Sequence, residues 1–185
     1  MNKRFILASS SARRQDLLHL LGVSFEVITP DVDETMDVSL GWENAVKQLA
    51  LRKAETVFNS HQDALVLACD TIVVCDEHSL GKPEDKEEAR FMLQMLSGKT
   101  HEVITGCALM DALKTETYIG KARVSFAPMN PQEIDAYINT DEPYDKAGGY
   151  AIQGLAAKHI QAIQGDYYAV MGLPLHETYR RIKHR

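Results

Sequence analysis

Hydrophobic and polar residues follow one another along this chain in two spacings, which predict strands and helices. Apolar runs and strict alternation predict strands, because successive strand side chains point to opposite faces of a sheet. Apolar residues three or four positions apart predict helices with one buried face. The predicted strands are Arg4–Ala8, Ser24–Ile28, Ala64–Cys75, Glu102–Met110, Thr115–Phe126 and Lys158–Ile163. The predicted helices are a stretch with Leu17, Leu18 and Leu21 that Gly22 closes, then Glu43–Phe58, Pro83–Gly98, Asn130 to about Ile138, and Leu175–Ile182.

The order of these elements favours an α/β fold around a mixed β-sheet. Crossover units come first, and the short connection at Asp111 to Lys114 then predicts an antiparallel hairpin. The long, Val-rich run Ala64–Cys75 is typical of a buried central strand. The 185 residues suffice for one ordinary domain, or for one elongated domain with two lobes. We therefore expect a single domain over residues 1–185.

Composition and charge exclude several classes of protein. Hydrophobic residues make up 45% of the chain and charged residues 25%, which is the balance of a globular protein. The net charge of -6 argues against binding nucleic acid through its phosphates, because that needs a basic face. The first apolar stretch is too short for a signal peptide, and no run is long enough to span a membrane. The odd cysteine count without CxxC spacing predicts buried free thiols in a reducing compartment, so we expect a cytoplasmic protein.

The start of the first predicted helix carries an unusual charge pattern. Arg13 and Arg14 stand in its first turn, where the helix macrodipole disfavours cations by about 0.3 to 1 kcal/mol each. Ser9, Ser10 and Ser11 precede them and offer hydroxyls and backbone N–H groups, as phosphate sites at helix N-termini do. Two interpretations are about equally favoured. Either the segment binds phosphate, or Ser11 caps the helix and the arginines are solvated.

Two charged residues lie at positions that should be apolar. Asp70 interrupts the apolar run of its strand, and a buried carboxylate needs a lysine, a metal ion or a water as its partner. The alternative is a structural ion pair or a strand-end residue that reaches solvent; Thr71 beside it could be an ordinary β-former. Lys53 falls on the apolar face of its helix, where it either meets an anion or extends its ammonium to solvent. Lys82 sits in a rigid loop and could bind a phosphate or simply be solvated.

Asp31, Asp33 and Glu34 form an acidic cluster directly after an apolar strand. Such a cluster could hold Mg²⁺ or Mn²⁺, which take a few carboxylates and complete their shell with water and phosphate oxygens. A solvated turn is an equally good interpretation. Other nucleotide and metal motifs are absent: the chain has no P-loop, no GxGxxG after a strand, and no zinc-ligand spacing such as HExxH.

Six short segments together resemble the Maf family. In chain order they are LASSSARRQDLL at 7–18, DT at 70–71, LGKP at 80–83, DKAGGY at 145–150, IQG at 152–154 and GDYYAVMGLP at 165–174. Their order and spacing cover nearly the whole chain. The family usually has proline at Ala12, glutamate at Asp16, Gly-Ala before Asp70 and alanine at Gly149. None of these departures removes a charged group that the chemistry needs.

The resemblance implies a fold, an activity and a site. Maf proteins have an elongated, two-lobed α/β fold similar to that of inosine triphosphate pyrophosphatases, with the nucleotide in a cleft between the lobes, and are usually homodimers with a divalent metal. They hydrolyse a nucleoside triphosphate between its α and β phosphates, and Asp70 matches their proton acceptor. The implied catalytic residues are Asp70, Lys82 and Glu34; the implied substrate-binding residues are Ser9, Arg13, Arg14, Lys53, Thr71 and Gln153; and Glu34 and Asp70 are the implied ligands of Mg²⁺ or Mn²⁺.

The same resemblance implies a pyrimidine substrate. Arg13, Thr71 and Gln153 match the positions that mark the dTTP and UTP branch of the family. The amide of Gln153 can both donate and accept, which suits the O4 and N3–H edge of uracil or thymine. We therefore expect dTTP and UTP, with modified pyrimidine nucleotides beside them, as the substrates, and a role in nucleotide pool cleaning or cell-division arrest. The alternatives are 7-methyl-GTP, a non-canonical purine triphosphate, or a division regulator without turnover.

Overall fold

The computed structural model describes residues 4–185, in which seven strands form one mixed sheet. The strands are β1 (Arg4–Ala8), β2 (Glu26–Val27), β3 (Ala64–Cys75), β4 (His78–Leu80), β5 (Thr100–Met110), β6 (Thr115–Phe126) and β7 (Ile160–Gly165). The α-helices are α1 (Ala12–His19), α2 (Trp42–Phe58), α3 (Lys86–Leu96), α4 (Pro131–Ile138), α5 (Tyr167–Met171) and α6 (Leu175–Ile182). Short 3₁₀ helices cover Val38–Leu40, Pro143–Asp145, Ala147–Gly149 and Leu155–His159.

The sheet has the order β2-β1-β3-β5-β6-β7, with β4 paired to β3. β1 runs parallel to both β2 and β3, whereas β4 and β7 run antiparallel to β3 and β6. The predicted α/β fold around a mixed sheet is confirmed. β1 lies beside β3 from Arg4 opposite Ala64 to Ala8 opposite Ala68. The residues that follow Ala8 therefore lie next to the part of β3 that carries Asp70.

Most predicted elements form with the expected bounds, including β1, β3, β6 and α6. The predicted hairpin is confirmed as well. The Asp111 amide donates to the Lys114 carbonyl oxygen at 3.0 Å at the turn, and the Thr100 and Ser125 hydroxyl oxygens lie 2.7 Å apart at the other end. The α4 helix starts as predicted, since Asn130 forms a reciprocal capping box with Glu133.

Other predicted bounds are wrong. The strand predicted at Ser24–Ile28 shrinks to β2, whose two residues are exposed at the sheet edge. The helix predicted from Pro83 to Gly98 begins only at Lys86, because the Asp85 side chain caps it by accepting from the Glu88 amide at 2.8 Å. The predicted start of β7 at Lys158 falls in a 3₁₀ helix instead.

Sequence analysis missed β4 and α5. β4 follows β3 through a two-residue turn in which Asp76 and Glu77 adopt positive φ of 48° and 66°. Such turns usually contain Asn-Gly or Asp-Gly, because glycine adopts positive φ without strain. This turn contains Asp-Glu, so its sequence gives no hairpin signal.

The described chain divides into two compact units, each with its own hydrophobic core. The first comprises the chain up to Thr71 together with Ile104–Gly120 and Gly172–Arg185, and the second comprises Ile72–Val103 and Lys121–Met171. The core of the first unit joins α2 to the sheet and is mostly alanine: Ile6, Ala8, Ala50, Ala54, Val57, Ala64, Val66, Ala68 and Ala108. Larger side chains, among them Leu93, Phe126, Tyr137 and Tyr150, fill the core of the second.

In the first unit, α2 approaches the sheet closely at Gly106. A Cβ atom at this position would lie 2.7 Å from the carbonyl group of Val46 and 2.8 Å from the amide nitrogen of Lys47. Both contacts are with helix backbone, which cannot move aside alone. A glycine here therefore sets the distance between α2 and β5.

Gly106→Ala should lower the free energy of unfolding by about 1 to 3 kcal/mol, as overpacking of a tight contact does. Urea denaturation followed by circular dichroism would measure the loss. Gly81→Ala is the matched control, because a Cβ atom at Gly81 would have no heavy atom within 4 Å and the φ of Gly81 is not positive. Equal stability of the two variants would contradict the close approach.

In the second unit, a histidine is buried in an aromatic cluster. His101 is 2% exposed and its Nε2 lies 2.8 Å from the Tyr150 hydroxyl. Its ring also contacts the edge of Phe126 at 5.3 Å between centroids. Burial lowers the pKa of His101 to about 4. The imidazole is therefore neutral in the folded protein at neutral pH.

This burial predicts acid sensitivity. The unfolded chain binds a proton at His101 below about pH 6.5, whereas the folded chain does so only near pH 4. Stability should therefore fall as pH drops from about 6.5 to about 4, by up to about 3 kcal/mol. Urea titrations at several pH values should show a shallower fall in His101→Gln. The control variant His184→Gln changes an exposed histidine and should show the same loss of stability as the wild type. An equal dependence of the free energy of unfolding on pH in wild type and His101→Gln would contradict the prediction.

Candidate active site

A buried lysine contacts two carboxylates of the predicted site. Lys53 Nζ lies 2.6 Å from Asp70 Oδ1 and 2.8 Å from Glu34 Oε1. The lysine side chain is 9% exposed and that of Asp70 is 16% exposed, while Glu34 is 63% exposed. Lys53 therefore meets anions instead of extending to solvent. The three residues that sequence analysis assigned separately are brought together.

The secondary structure explains why Lys53 and Asp70 meet. Lys53 lies on the buried face of α2, beside Ala50 and Ala54 of the small-residue core. Asp70 and Thr71 are consecutive half-buried residues of β3, so their side chains leave opposite faces of the strand. The close contact of α2 with the sheet leaves the lysine near one of those faces.

The loop that carries Glu34 is fixed by α2 as well. Arg52 donates to the Thr35 carbonyl oxygen at 3.2 Å and also to the carbonyl oxygen of Asp33. The Asp33 carboxylate accepts from the Thr35 amide at 2.9 Å and hydroxyl at 2.7 Å, which lowers the pKa of Asp33. The Asp33 carboxylate therefore forms these hydrogen bonds within its own turn. Sequence analysis missed Arg52, and its only signal is its place next to Lys53 on the helix.

Ser9 and Ser11 have different roles at the start of α1. Ser11 is the N-cap, and its hydroxyl accepts from the Arg14 amide at 3.5 Å. Ser9 is 6% exposed, and its hydroxyl oxygen accepts from the Ser11 amide at 3.2 Å and from Arg14 Nη1 at 3.1 Å. Because both partners are N–H donors, the hydroxyl can still donate its own proton to an anion. Arg13 is half-buried in the same helical turn.

Arg14 ties three segments together. In addition to Ser9, its Nε donates to the Gly172 carbonyl oxygen at 2.8 Å and its Nη2 to the Thr71 hydroxyl at 3.0 Å. The interpretation of Arg14 as a solvated surface residue is therefore wrong. All three acceptors are uncharged, so these bonds leave the positive charge of the guanidinium unneutralised. That charge favours an anion near Ser9 and Thr71.

Gly172 and Thr105 complete this arrangement and were missed by sequence analysis. Gly172 has a φ of +106°, and a Cβ atom there would lie 3.3 Å from both Arg14 Nε and Thr71 Oγ1. Thr105 is fully buried in β5, and its hydroxyl lies 2.8 Å from that of Thr71. A threonine within an apolar strand was the available signal for Thr105, and Gly172 lay in a quoted motif without an assigned role.

The residue before Asp70 on β3, Cys69, has its thiol against that of Cys107 on β5. Cys69 and Cys107 have Sγ atoms 2.9 Å apart, and both residues are fully buried. Burial raises the pKa of Cys107 well above its usual range, so its thiol is protonated at neutral pH. The prediction that all three cysteines are buried free thiols is confirmed.

Lys82 and Gln153 belong to the second unit, unlike the other predicted site residues. Lys82 is exposed in the loop after β4, and the Gly148 amide holds that loop by donating to the Gly81 carbonyl oxygen at 2.9 Å. Gln153 is also exposed, in a turn closed by the Gly154 amide and the Ala151 carbonyl oxygen at 3.2 Å.

No cluster of three or more His, Cys, Asp or Glu residues suited to a metal occurs within residues 4–185. Glu34 and Asp70 are nevertheless two hard oxygen donors that converge on one ammonium.

Within residues 4–185, no helix is both long and apolar enough to cross a membrane.

The sequence matches the family model described as Maf-like protein over residues 4–185. The chain belongs to the Maf family. It is 51% identical over 181 residues to the dTTP/UTP pyrophosphatase of Bacillus cytotoxicus, covering 98% of this chain and 95% of that protein. The dTTP/UTP pyrophosphatase of Bacillus anthracis is 48% identical with the same coverage.

Among solved structures, the chain is similar in fold to the Ham1 protein of Staphylococcus aureus. The TM-score is 0.58 at 13% sequence identity, with 98% of this chain and 99% of that chain covered. At this identity the likeness concerns the fold alone. This chain and that Ham1 protein therefore share the overall fold.

In this Maf protein, Lys53→Met should lower the free energy of unfolding by about 3 to 5 kcal/mol, because it leaves the largely buried carboxylate of Asp70, 16% exposed, without its cation. The double variant Lys53→Met/Asp70→Asn should lose less than the sum of the single losses. Urea denaturation would measure all three.

The matched control is Lys99→Met. Lys99 also lies 2.6 Å from a carboxylate, that of Asp76, but both side chains are largely exposed. Water screens such a pair, so its loss should be much smaller. If Lys99→Met and Lys53→Met lower the free energy of unfolding equally, water screens the Lys53–Asp70 pair as it screens the exposed pair, and the prediction is wrong.

Proposed function

We propose that this protein hydrolyses dTTP and UTP to the nucleoside monophosphate and pyrophosphate. The observation that carries the proposal is the contact of buried Lys53 with the carboxylates of Asp70 and Glu34, in a chain 51% identical to a dTTP/UTP pyrophosphatase over 181 residues. The lysine-bound carboxylate of Asp70 supplies a proton acceptor, and the arginine that bonds only uncharged groups at Ser9, Thr71 and Gly172 favours an anion.

Asp70 accepts the proton of the attacking water in this proposal. Lys53 donates to Asp70 Oδ1, and a carboxylate has a second oxygen with which to accept from water. The bond from the ammonium fixes the orientation of the carboxylate. Water attacks the α-phosphorus, its proton passes to Asp70, and the bond to the β-phosphate breaks with pyrophosphate as the leaving group.

Ser9, Arg13 and Arg14 form the phosphate-binding side of the first unit. The Ser9 hydroxyl has a proton to donate, and Arg14 contributes charge while its nitrogens are engaged by protein acceptors. Arg14 therefore acts as a positioning group, and Arg13 is the arginine proposed to contact the nucleotide. Lys82, in the second unit, stays a predicted phosphate ligand from the family resemblance.

A divalent ion fits the two carboxylates that contact Lys53. The Glu34 and Asp70 carboxylates converge on Lys53, so two hard oxygen donors lie near one another. Two carboxylates suit Mg²⁺ or Mn²⁺, which fill the remaining positions with water and phosphate oxygens. When bound, such an ion would neutralise charge that develops on the phosphates.

Gln153 is the proposed reader of the base. Its side-chain amide can accept from N3–H and donate to O4 of uracil or thymine. The positions of Arg13, Thr71 and Gln153 match the dTTP and UTP branch, which supports this role. A homodimer, a cytoplasmic location and a role in pool cleaning or division arrest stay predictions from the family resemblance.

The proposal predicts rapid pyrophosphate release from dTTP and UTP with Mg²⁺ or Mn²⁺, and much slower release from CTP, ITP, GTP and 7-methyl-GTP. Asp70→Asn should slow release by about 10² to 10⁴-fold, because it removes the proton acceptor and keeps its shape. A coupled pyrophosphate assay with each nucleotide would measure both effects.

Asp76→Asn is the control, since Asp76 is an exposed aspartate that pairs with Lys99 outside the proposed site. It should leave turnover unchanged. Full activity of Asp70→Asn would assign the proton transfer to another group. Faster turnover of ITP or 7-methyl-GTP would assign the protein to a purine substrate, and no release from any nucleotide would indicate binding or regulation.

A further inference from the structure

The turn that carries Gln153 is held by one carboxylate. Glu142 Oε2 accepts from the Leu155 amide at 2.9 Å, and Oε1 accepts from the Ala156 amide at 3.3 Å. These two amides follow Gln153 by two and three residues. The carboxylate therefore fixes the C-terminal side of the turn, all of it within the second unit.

The other side of the same turn is tied to the same carboxylate through a tyrosine. The Tyr137 hydroxyl donates to Glu142 Oε1 at 2.8 Å and accepts from the Ala151 amide at 3.4 Å. Tyr137 is 3% exposed, and burial raises its pKa, so the phenol stays protonated and can donate. The backbone is therefore hydrogen-bonded to Glu142 on both sides of Gln153: through Tyr137 before it and directly after it.

The backbone carrying Glu142 is itself held in place. Lys146 Nζ donates to the Glu142 carbonyl oxygen at 2.8 Å, and the Glu142 amide donates to the Thr140 hydroxyl at 3.3 Å. The side chain of Glu142 therefore extends toward the turn from a backbone that is held on both sides.

Gly154 leaves the space that this carboxylate occupies. A Cβ atom at Gly154 would lie 2.2 to 2.3 Å from the carboxylate atoms of Glu142. Its φ is -107°, which other residues adopt easily, so the glycine is needed for space and not for conformation. A methyl group here would push the carboxylate off the turn while the flexible glutamate side chain moves aside.

We propose that Glu142 is a specificity-determining positioning residue, which sets the place of the Gln153 amide and thereby the preference for pyrimidine triphosphates. This inference rests on the proposed function, because it assigns Glu142 a role in the base recognition given there to Gln153. Glu142 itself need not touch the nucleotide. Its effect passes through the Leu155, Ala156 and Ala151 backbone.

Glu142→Gln tests the inference directly. Both carboxylate oxygens accept from N–H or O–H donors, so an amide must turn its NH₂ group toward a donor whichever way it is oriented. The variant should raise KM for UTP with kcat nearly unchanged. The ratio of kcat/KM for UTP to that for ITP should fall by about tenfold.

Two further variants separate positioning from mere destabilisation. Gly154→Ala should lower the same ratio, because it displaces the same carboxylate. Glu133→Gln is the matched control: Glu133 also accepts from a backbone amide, that of Asn130 at 2.8 Å, but in the capping box of α4. It should cost stability and leave the UTP to ITP ratio unchanged.

A double-mutant cycle tests whether Glu142 acts through Gln153. In a Gln153→Ala background, Glu142→Gln should no longer change the UTP to ITP ratio. An unchanged ratio in Glu142→Gln, or an equal change with and without Gln153, would overturn the inference. So would a ratio change in Glu133→Gln as large as that in Glu142→Gln.

A measurement without turnover distinguishes this inference from the proposed function. The side-chain amide resonances of Gln153 in ¹H–¹⁵N spectra, identified by their loss in Gln153→Ala, should shift in Glu142→Gln and stay in place in Glu133→Gln. If they shift while the wild type releases no pyrophosphate from UTP, the positioning stands and the proposed function fails. If they do not shift in Glu142→Gln, the positioning role fails.

Discussion

The ion pair between Lys53 and Asp70 joins α2 to β3 within the first unit. An ammonium on the buried face of a helix and a carboxylate within a central strand are each costly alone, and each removes the cost of the other. Their contact requires α2 to lie close to the sheet. Alanines in the core and Gly106 under the helix make that distance possible.

The same requirement for partners organises the start of α1. The nitrogens of Arg14 donate to nearby Ser9 and to two distant acceptors, the Thr71 hydroxyl and the Gly172 carbonyl oxygen. Because these acceptors are neutral, the fold gains cohesion without cancelling the charge. A protein with a net charge of -6 can in this way keep a local positive site for a polyanionic ligand.

The second unit uses a carboxylate for a different purpose. Glu142 has backbone amides and a phenol as partners where Asp70 has an ammonium, so its bonds fix a turn instead of neutralising a cation. Gln153 stays exposed on that turn, while hydrogen bonds hold the backbone on both sides of it. Exposure with a fixed backbone is what a side chain needs if it is to read one face of a ligand.

Local sequence patterns were enough to predict the strands and helices with strong periodicity, the mixed α/β class, and the charged residues that stand where apolar ones should. They suffice for these features because burial of one face leaves a period in the chain. They missed the Asp76–Glu77 turn, which lacks the usual glycine, and they left Lys53 between two interpretations. Three-dimensional packing was needed to show that Lys53 meets Asp70 and Glu34, and that Arg14 and Glu142 bind distant segments. Partners far apart in sequence leave no periodic signal, and long-range packing alone brings them within hydrogen-bonding distance.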